Sequence, residues 1–132
     1  MSGQFAGERG LSPERAVPPT RGTIPAPLAQ TGVIAILRAS ADIHLEAVAT
    51  ALALAGVRCL ELTMTTPGAI DGLRRLRAAL DPAVTVGMGT VTTAAQACAA
   101  LDAGAEFLVS PAVCPEVVGA AVRAGAGAYR AR

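Results

Sequence analysis

Four residues whose types suit acid–base or anion-binding work fall at comparable places along this chain. Glu61 lies inside the apolar run CLELT, Arg38 directly follows IAIL, Thr65 follows the Glu61 run, and Thr90 closes the glycine-rich GMGT. A carboxylate is costly to bury without a partner, so its place in an apolar run asks for a reason. A glutamate can move a proton as general acid or base. An arginine can hold a carboxylate bidentately, and hydroxyls can complete the cradle. Together with Ser110, which ends FLVS, the set suits a small anionic ligand with a proton to move. Blander readings compete with this one. Arg38 can be a solvated loop residue, Glu61 half of a structural ion pair, and Thr90 a helix-entry residue. His44 reads as an exposed residue of a first helical turn.

One residue type is missing from that set. All 11 basic side chains are arginine, so the chain offers no side-chain amine with which to form an imine. The formal net charge of +1 gives no reason to expect nucleic acid or an anionic membrane as partner. The longest apolar run, AVATALALAGV at 47–57, is far too short to span a bilayer. Cys59, Cys98 and Cys114 have no metal-like spacing and read as reduced core thiols, which favours the cytoplasm. The N-terminus shows no charged-then-apolar signal, so secretion is not expected.

The elements that must position these residues follow from periodicity. Apolar residues are 52% of the 132 and aromatic ones 2%, which predicts one domain with a core of Ala, Val, Leu and Ile. Residues 1–30 are rich in Pro, Gly and polar types and read as a disordered leader, with PAPLAQ as a short helical turn at its end. From 31 to 132, short β-like runs alternate with helical ones. Strands are predicted at 32–38, 57–63, 83–89 and 105–110, with a fifth beginning at 127–129. A helix over about 42–55 places Leu45, Val48, Leu52 and Ala55 on one face, with Gly56 ending it. Pro67 suits the first turn of the next helix, which carries Ile70, Leu73, Leu76 and Leu80. Thr93 and Gln96 have capping-box spacing before a third helix, and Pro115 opens a fourth. Such βαβα alternation predicts an α/β fold with a parallel sheet, either half of a barrel or a small open sheet. A full eight-stranded βα barrel needs about 200 residues or more.

Strand alternation puts Cys59, Glu61 and Thr63 on one face and Leu60 and Leu62 on the other. The leucines suit helices; the polar face suits a barrel interior near the C-terminal mouth, where such barrels keep their active sites. Gly87 and Gly89 are expected to let the backbone approach a ligand closely.

GVRCLELTMTTP, VGMGTVTTAAQ and GAEFLVSP, in that order after GVIAILRA, resemble the N-terminal half of the 2-keto-3-deoxy-6-phosphogluconate and 4-hydroxy-2-oxoglutarate aldolases. The resemblance runs over about residues 26–129 and implies the first four or so βα units of a (β/α)8 barrel, of the TIM type. It implies class I aldehyde-lyase chemistry, giving pyruvate and glyceraldehyde 3-phosphate through a lysine imine, with no metal or other cofactor. It also implies a homotrimer, a keto-acid ligand with a pyruvate moiety, and neither nucleic-acid nor membrane partners. By resemblance Glu61 matches the acid/base carboxylate of a Gly-x4-Glu-x-Thr signature spanning Gly56 to Thr63. Thr90 matches the threonine that touches the pyruvyl carboxylate, and Arg38 a first-strand arginine near the substrate. Thr65 stands where many members carry an arginine. The lysine strand and the later phosphate-binding loops have no counterpart here, so a truncated chain, inactive alone, is expected. Its alternatives are a non-catalytic assembly module or one half of a split aldolase.

Overall fold

The computed structural model describes residues 24–40 and 44–131; most of the expected leader lies outside them. A short helix, α1 (Ala26–Thr31), precedes five βα-type strands: β1 (Ala35–Leu37), β2 (Cys59–Thr63), β3 (Thr85–Gly89), β4 (Phe107–Ser110) and β5 (Gly127–Arg130). Between them run α2 (Leu45–Leu54), α3 (Ala69–Ala79), α4 (Ala94–Asp102) and α5 (Pro115–Arg123). The strands are shorter at their starts than periodicity predicts, because Val57 and Arg58, for example, serve as the linker that leaves α2.

All five strands are parallel, in the order β1-β2-β3-β4-β5. A doubly wound sheet would reverse its order at an inner strand and carry helices on both faces. Here the order never reverses. Leu60, Leu62, Val86, Met88 and Leu108 on one sheet face pack with Leu45 and Ala49 of α2, Leu73 and Leu76 of α3, Ala97 and Ala100 of α4, and Val117 and Ala121 of α5. Singly wound order with helices on one side is an arc of a (β/α)8 barrel, which decides between the two architectures left open above. Burying each of these Leu or Val side chains contributes about 1.5–3 kcal/mol, so this face supplies most of the cohesion.

Local chemistry sets the helix ends. Thr93 Oγ1 accepts from the Gln96 amide at 3.2 Å, as a capping box requires. The return bond differs, since Gln96 Oε1 accepts from Thr92 N at 2.8 Å instead of from the cap itself. Pro67 lies outside α3, whose N-cap is Gly68 in the left-handed region at φ 66°. Helix α2 also departs from expectation. It buries Leu45 and Ala49 and leaves Val48 exposed. In a run as uniformly apolar as LEAVATALAL the period marks no single face, and small Ala49 lets the helix sit closer to its neighbours. Cys98 is exposed on α4, whereas Cys59 is buried.

Candidate active site

The second face of the sheet is built differently. Its lower part is a small apolar cluster of Cys59, Phe107 and Val109, joined by Tyr129, by Ile34 and by Leu28 from α1. The Phe107 and Tyr129 rings meet edge to face, with centroids 6.2 Å apart. Burial, with the negative charges of Glu106 and Glu61 adding to it, pushes the Cys59 thiol up to about 11. Such a thiol stays protonated at neutral pH and makes a poor nucleophile.

Above this floor, towards the C-terminal strand ends, the face turns polar. Glu61 is in register with Ile36 of β1 and Gly87 of β3. Its side chain leans one step further, because a Cβ at position 89 would collide with the Glu61 carboxyl. A Cβ at position 87 would likewise strike the Phe107 ring. The two glycines therefore make room for the protein's own side chains, where the expectation had been room for a ligand.

Glu61 is only 6% exposed. It makes none of the side-chain hydrogen bonds or ion pairs found among the described residues; the three ion pairs there are Arg74–Asp71, Arg75–Glu46 and Arg77–Glu106. No fully buried side-chain oxygen or nitrogen among these residues lacks a partner, so the unpaired carboxyl must touch open space. Burial pushes its pKa above the usual carboxylate range, and the Arg38 charge pulls it part of the way back. Such a carboxyl exchanges its proton nearer neutrality than a surface glutamate does. Among the described residues, then, Glu61 is not half of a structural ion pair.

Arg38 is exposed and follows β1 one residue beyond the Leu37–Leu62 pair, which brings it level with Thr63. Thr65 is exposed in the turn after β2, its Oγ1 3.0 Å from Thr63 Oγ1. Thr63 Oγ1 also lies 3.3 Å from Thr66 Oγ1, and the Ala39 amide donates to Thr66 Oγ1 at 3.2 Å. Thr63 lies on the polar face where strand alternation put it, whereas Thr66 was not foreseen, although three threonines within TMTT were a visible signal.

Thr90 has φ 58°, the only positive φ at a non-glycine among the described residues. For a β-branched residue this is an outlier that costs about 1–3 kcal/mol. The flanking backbone imposes it: Met64 N donates to Gly89 O at 2.8 Å and Val91 N to Val109 O at 3.0 Å. Ser110 does not join the group. Its hydroxyl lies 3.5 Å from Cys114 Sγ, towards α5. Being one residue out of phase with Val109, it belongs to the helix-covered face. His44 is exposed at the N-cap position of α2.

Arg38, Thr65 and Thr90 thus follow the first three strands, and Glu61 lies mid-way along β2 with its carboxyl leaning towards Gly89 at the end of β3. A shallow cleft of about 400 Å³, lined by Met64, Thr65, Thr66, Gly68 and Asp71 among others, opens at the turn after β2; of the four it touches Thr65. No described helix is long and apolar enough to cross a membrane.

Comparison with known proteins adds a consistent result. The family described as "Aldolase: KDPG and KHG aldolase" matches residues 24–127. The KHG/KDPG aldolase of Escherichia coli K12 is 37% identical over 78 residues, covering 59% of this chain and 36% of that protein. The solved 2-keto-3-deoxy-6-phosphogluconate aldolase of Zymomonas mobilis ZM4, with 3-phosphoglycerate, is 30% identical at a TM-score of 0.66, covering 74% of this chain and 46% of that one. A KDPG aldolase from Legionella pneumophila, solved with pyruvate captured as a covalent carbinolamine, is 31% identical at a TM-score of 0.62, covering 78% and 50%. The chain spans about a third of the length of the curated relatives it matches and about half that of the solved ones.

Proposed function

Since the chain belongs to the KDPG and KHG aldolase family, we propose that it carries the acid–base and anion-holding part of an aldehyde-lyase site for 2-keto-3-deoxy acids. The observation that carries this is Glu61: buried, unpaired, pushed towards neutrality by burial, and open at the C-terminal end of the sheet. In the proposed reaction an amine from outside these 132 residues forms the imine with the keto carbon, since this sequence holds no lysine. Glu61, through a water, takes the proton of the substrate hydroxyl as the carbon–carbon bond breaks and the aldehyde leaves. It then returns a proton to the enamine carbon, giving the imine of pyruvate. Arg38 and Thr90 hold the carboxylate end, and Thr65 offers a hydroxyl beside it. Cleavage of 2-keto-3-deoxy-6-phosphogluconate to pyruvate and glyceraldehyde 3-phosphate is the reaction proposed for the whole protein, in the cytoplasm. On this reading the chain binds a keto acid and is inactive alone.

Calorimetry with pyruvate tests the reading. Weak binding is expected, and it should be lost in Glu61→Gln and in Arg38→Ala. Absence of binding to the unmodified chain sinks it. Borohydride added with pyruvate should leave no side-chain adduct.

A second reading, an assembly half closed by another copy or another chain, is favoured by one observation. Ile36 lies beside Glu61 on the inner face and is 61% exposed, and β1 and β5 each pair on one side only. Sedimentation that shows a monodisperse, well-folded monomer argues against it.

A further inference from the structure

Two members of the hydroxyl cluster behind the site, Thr63 and Thr66, have no part in the proposed reaction. Three threonines converge within hydrogen-bonding distance, and one of them reaches across to a different strand end. The Ala39 amide, next in the chain to Arg38, donates to the buried Thr66 Oγ1 at 3.2 Å, across 27 residues of sequence. Thr66 Oγ1 is in turn 3.3 Å from Thr63 Oγ1, which is 3.0 Å from Thr65 Oγ1. A hydroxyl can accept from an amide while donating its own proton. The network can therefore run in one direction, from the Ala39 amide to Thr66, then Thr63, then Thr65.

Among the described residues, the ladder pairs joining β1 to β2 are Ala35–Leu60, Ile36–Glu61 and Leu37–Leu62. Beyond Leu37 the ladder stops, and Arg38 sits at the point where the chain leaves the sheet. The Ala39–Thr66 bond is the next tie between these two segments. It is buried, while Arg38 itself is exposed and makes no ion pair among the described residues.

We propose that Thr66 is a positioning residue: its hydroxyl, clamped between the Ala39 amide and Thr63, holds the turn that carries Arg38 to the Glu61 carboxyl. This rests on the proposed reading of Glu61 and Arg38 as the ligand-facing pair. The same clamp orders Thr63, which stands next to Glu61 on the inner face. Among the described residues, the charged or titratable groups that act on Glu61 or feel it are Arg38 from the β1 end and Cys59 on its own strand; β3 brings only Gly87 and Gly89 to it.

The experiment uses ligand-free protein labelled with 13C at the glutamate carboxyls, with the Glu61 signal assigned by its absence in Glu61→Gln. Arg38→Ala should raise the Glu61 titration midpoint, because the Arg38 charge lowers it. Thr66→Val should raise it in the same direction, Thr66→Ser should return it to the unmodified value, and Thr66→Val added to Arg38→Ala should raise it no further. A Thr66→Val midpoint equal to that of the unmodified protein, while Arg38→Ala shifts it, overturns the proposal. Amide exchange of Ala39 in the unmodified chain needs no variant to fold. Exchange slowed at least tenfold relative to an open loop amide is expected, and free exchange overturns the proposal. Neither readout uses a ligand, so failure of the keto-acid reading shows separately, in the calorimetry.

Discussion

Glu61 and Leu62 are neighbours in sequence and opposites in surroundings. Leu62 and its equivalents Leu60, Val86, Met88 and Leu108 are fully buried under the four helices that follow the strands. Across the sheet, Glu61 lies beside Ile36, which is 61% exposed, and above an apolar cluster of only three fully packed residues. One face makes the fold; the other holds an open isoleucine and an acid without a hydrogen-bond or ion-pair partner among the described residues. Unfavourable groups of this kind persist only where other parts of the structure supply the stability. The division also separates the residues of the proposed site from the residues that cohere.

The comparison breaks most readily at its strongest point. Leu62→Ala should cost about 2–5 kcal/mol in urea denaturation. Ile36→Ala, one strand away on the other face, should cost within about 0.5 kcal/mol. A comparable loss at both positions would mean that the inner face is covered in solution. Gly89→Ala comes next. The added methyl must displace the Glu61 carboxyl, at a cost of about 1–3 kcal/mol, and should return the Glu61 titration towards that of an ordinary glutamate. Thr90→Gly relieves the φ of 58°. It should leave stability unchanged or raise it by up to about 1 kcal/mol, while weakening pyruvate binding in calorimetry.

The smallest effect is a slope. Burial raises the Glu61 pKa in the folded chain, so between its unfolded and folded values the folded state holds more protons than the unfolded one. Stability from this group is complete below the unfolded value and falls as pH rises through the folded one. Urea midpoints taken from about pH 4 to about pH 8 should show that fall, which Glu61→Gln should remove.

Much of this division was legible in the sequence. The alternation in CLELT separates Leu60 and Leu62 from Cys59, Glu61 and Thr63, and that separation holds in the fold. The same rule applied to FLVS would have sent Ser110 to the helix side; grouping it with the site came from its place at a strand end, without regard to phase. The face of α2 was not legible, because Val48 and Ala49 are both apolar and only their distance from the sheet distinguishes them. The left-handed Thr90 was hidden too. Its φ is imposed by bonds from Met64 and Val91, neither of which its own local sequence reveals. The Thr66 clamp joins residues 27 positions apart, beyond the reach of any local pattern.

The space above Gly89 has one further consequence. Since the Glu61 carboxyl fills it, positions 61 and 89 share a single volume across two strands. A side chain gained at 89 must therefore displace the Glu61 carboxyl or be matched by a shorter residue at 61. A chain with a shorter residue at 61 accommodates a side chain at 89 without that displacement, whereas one with glutamate at 61 holds its carboxyl in this place only with glycine at 89. On the proposed reading of Glu61, the pair is a two-letter record, readable in a sequence, of whether the carboxyl keeps its place at the site.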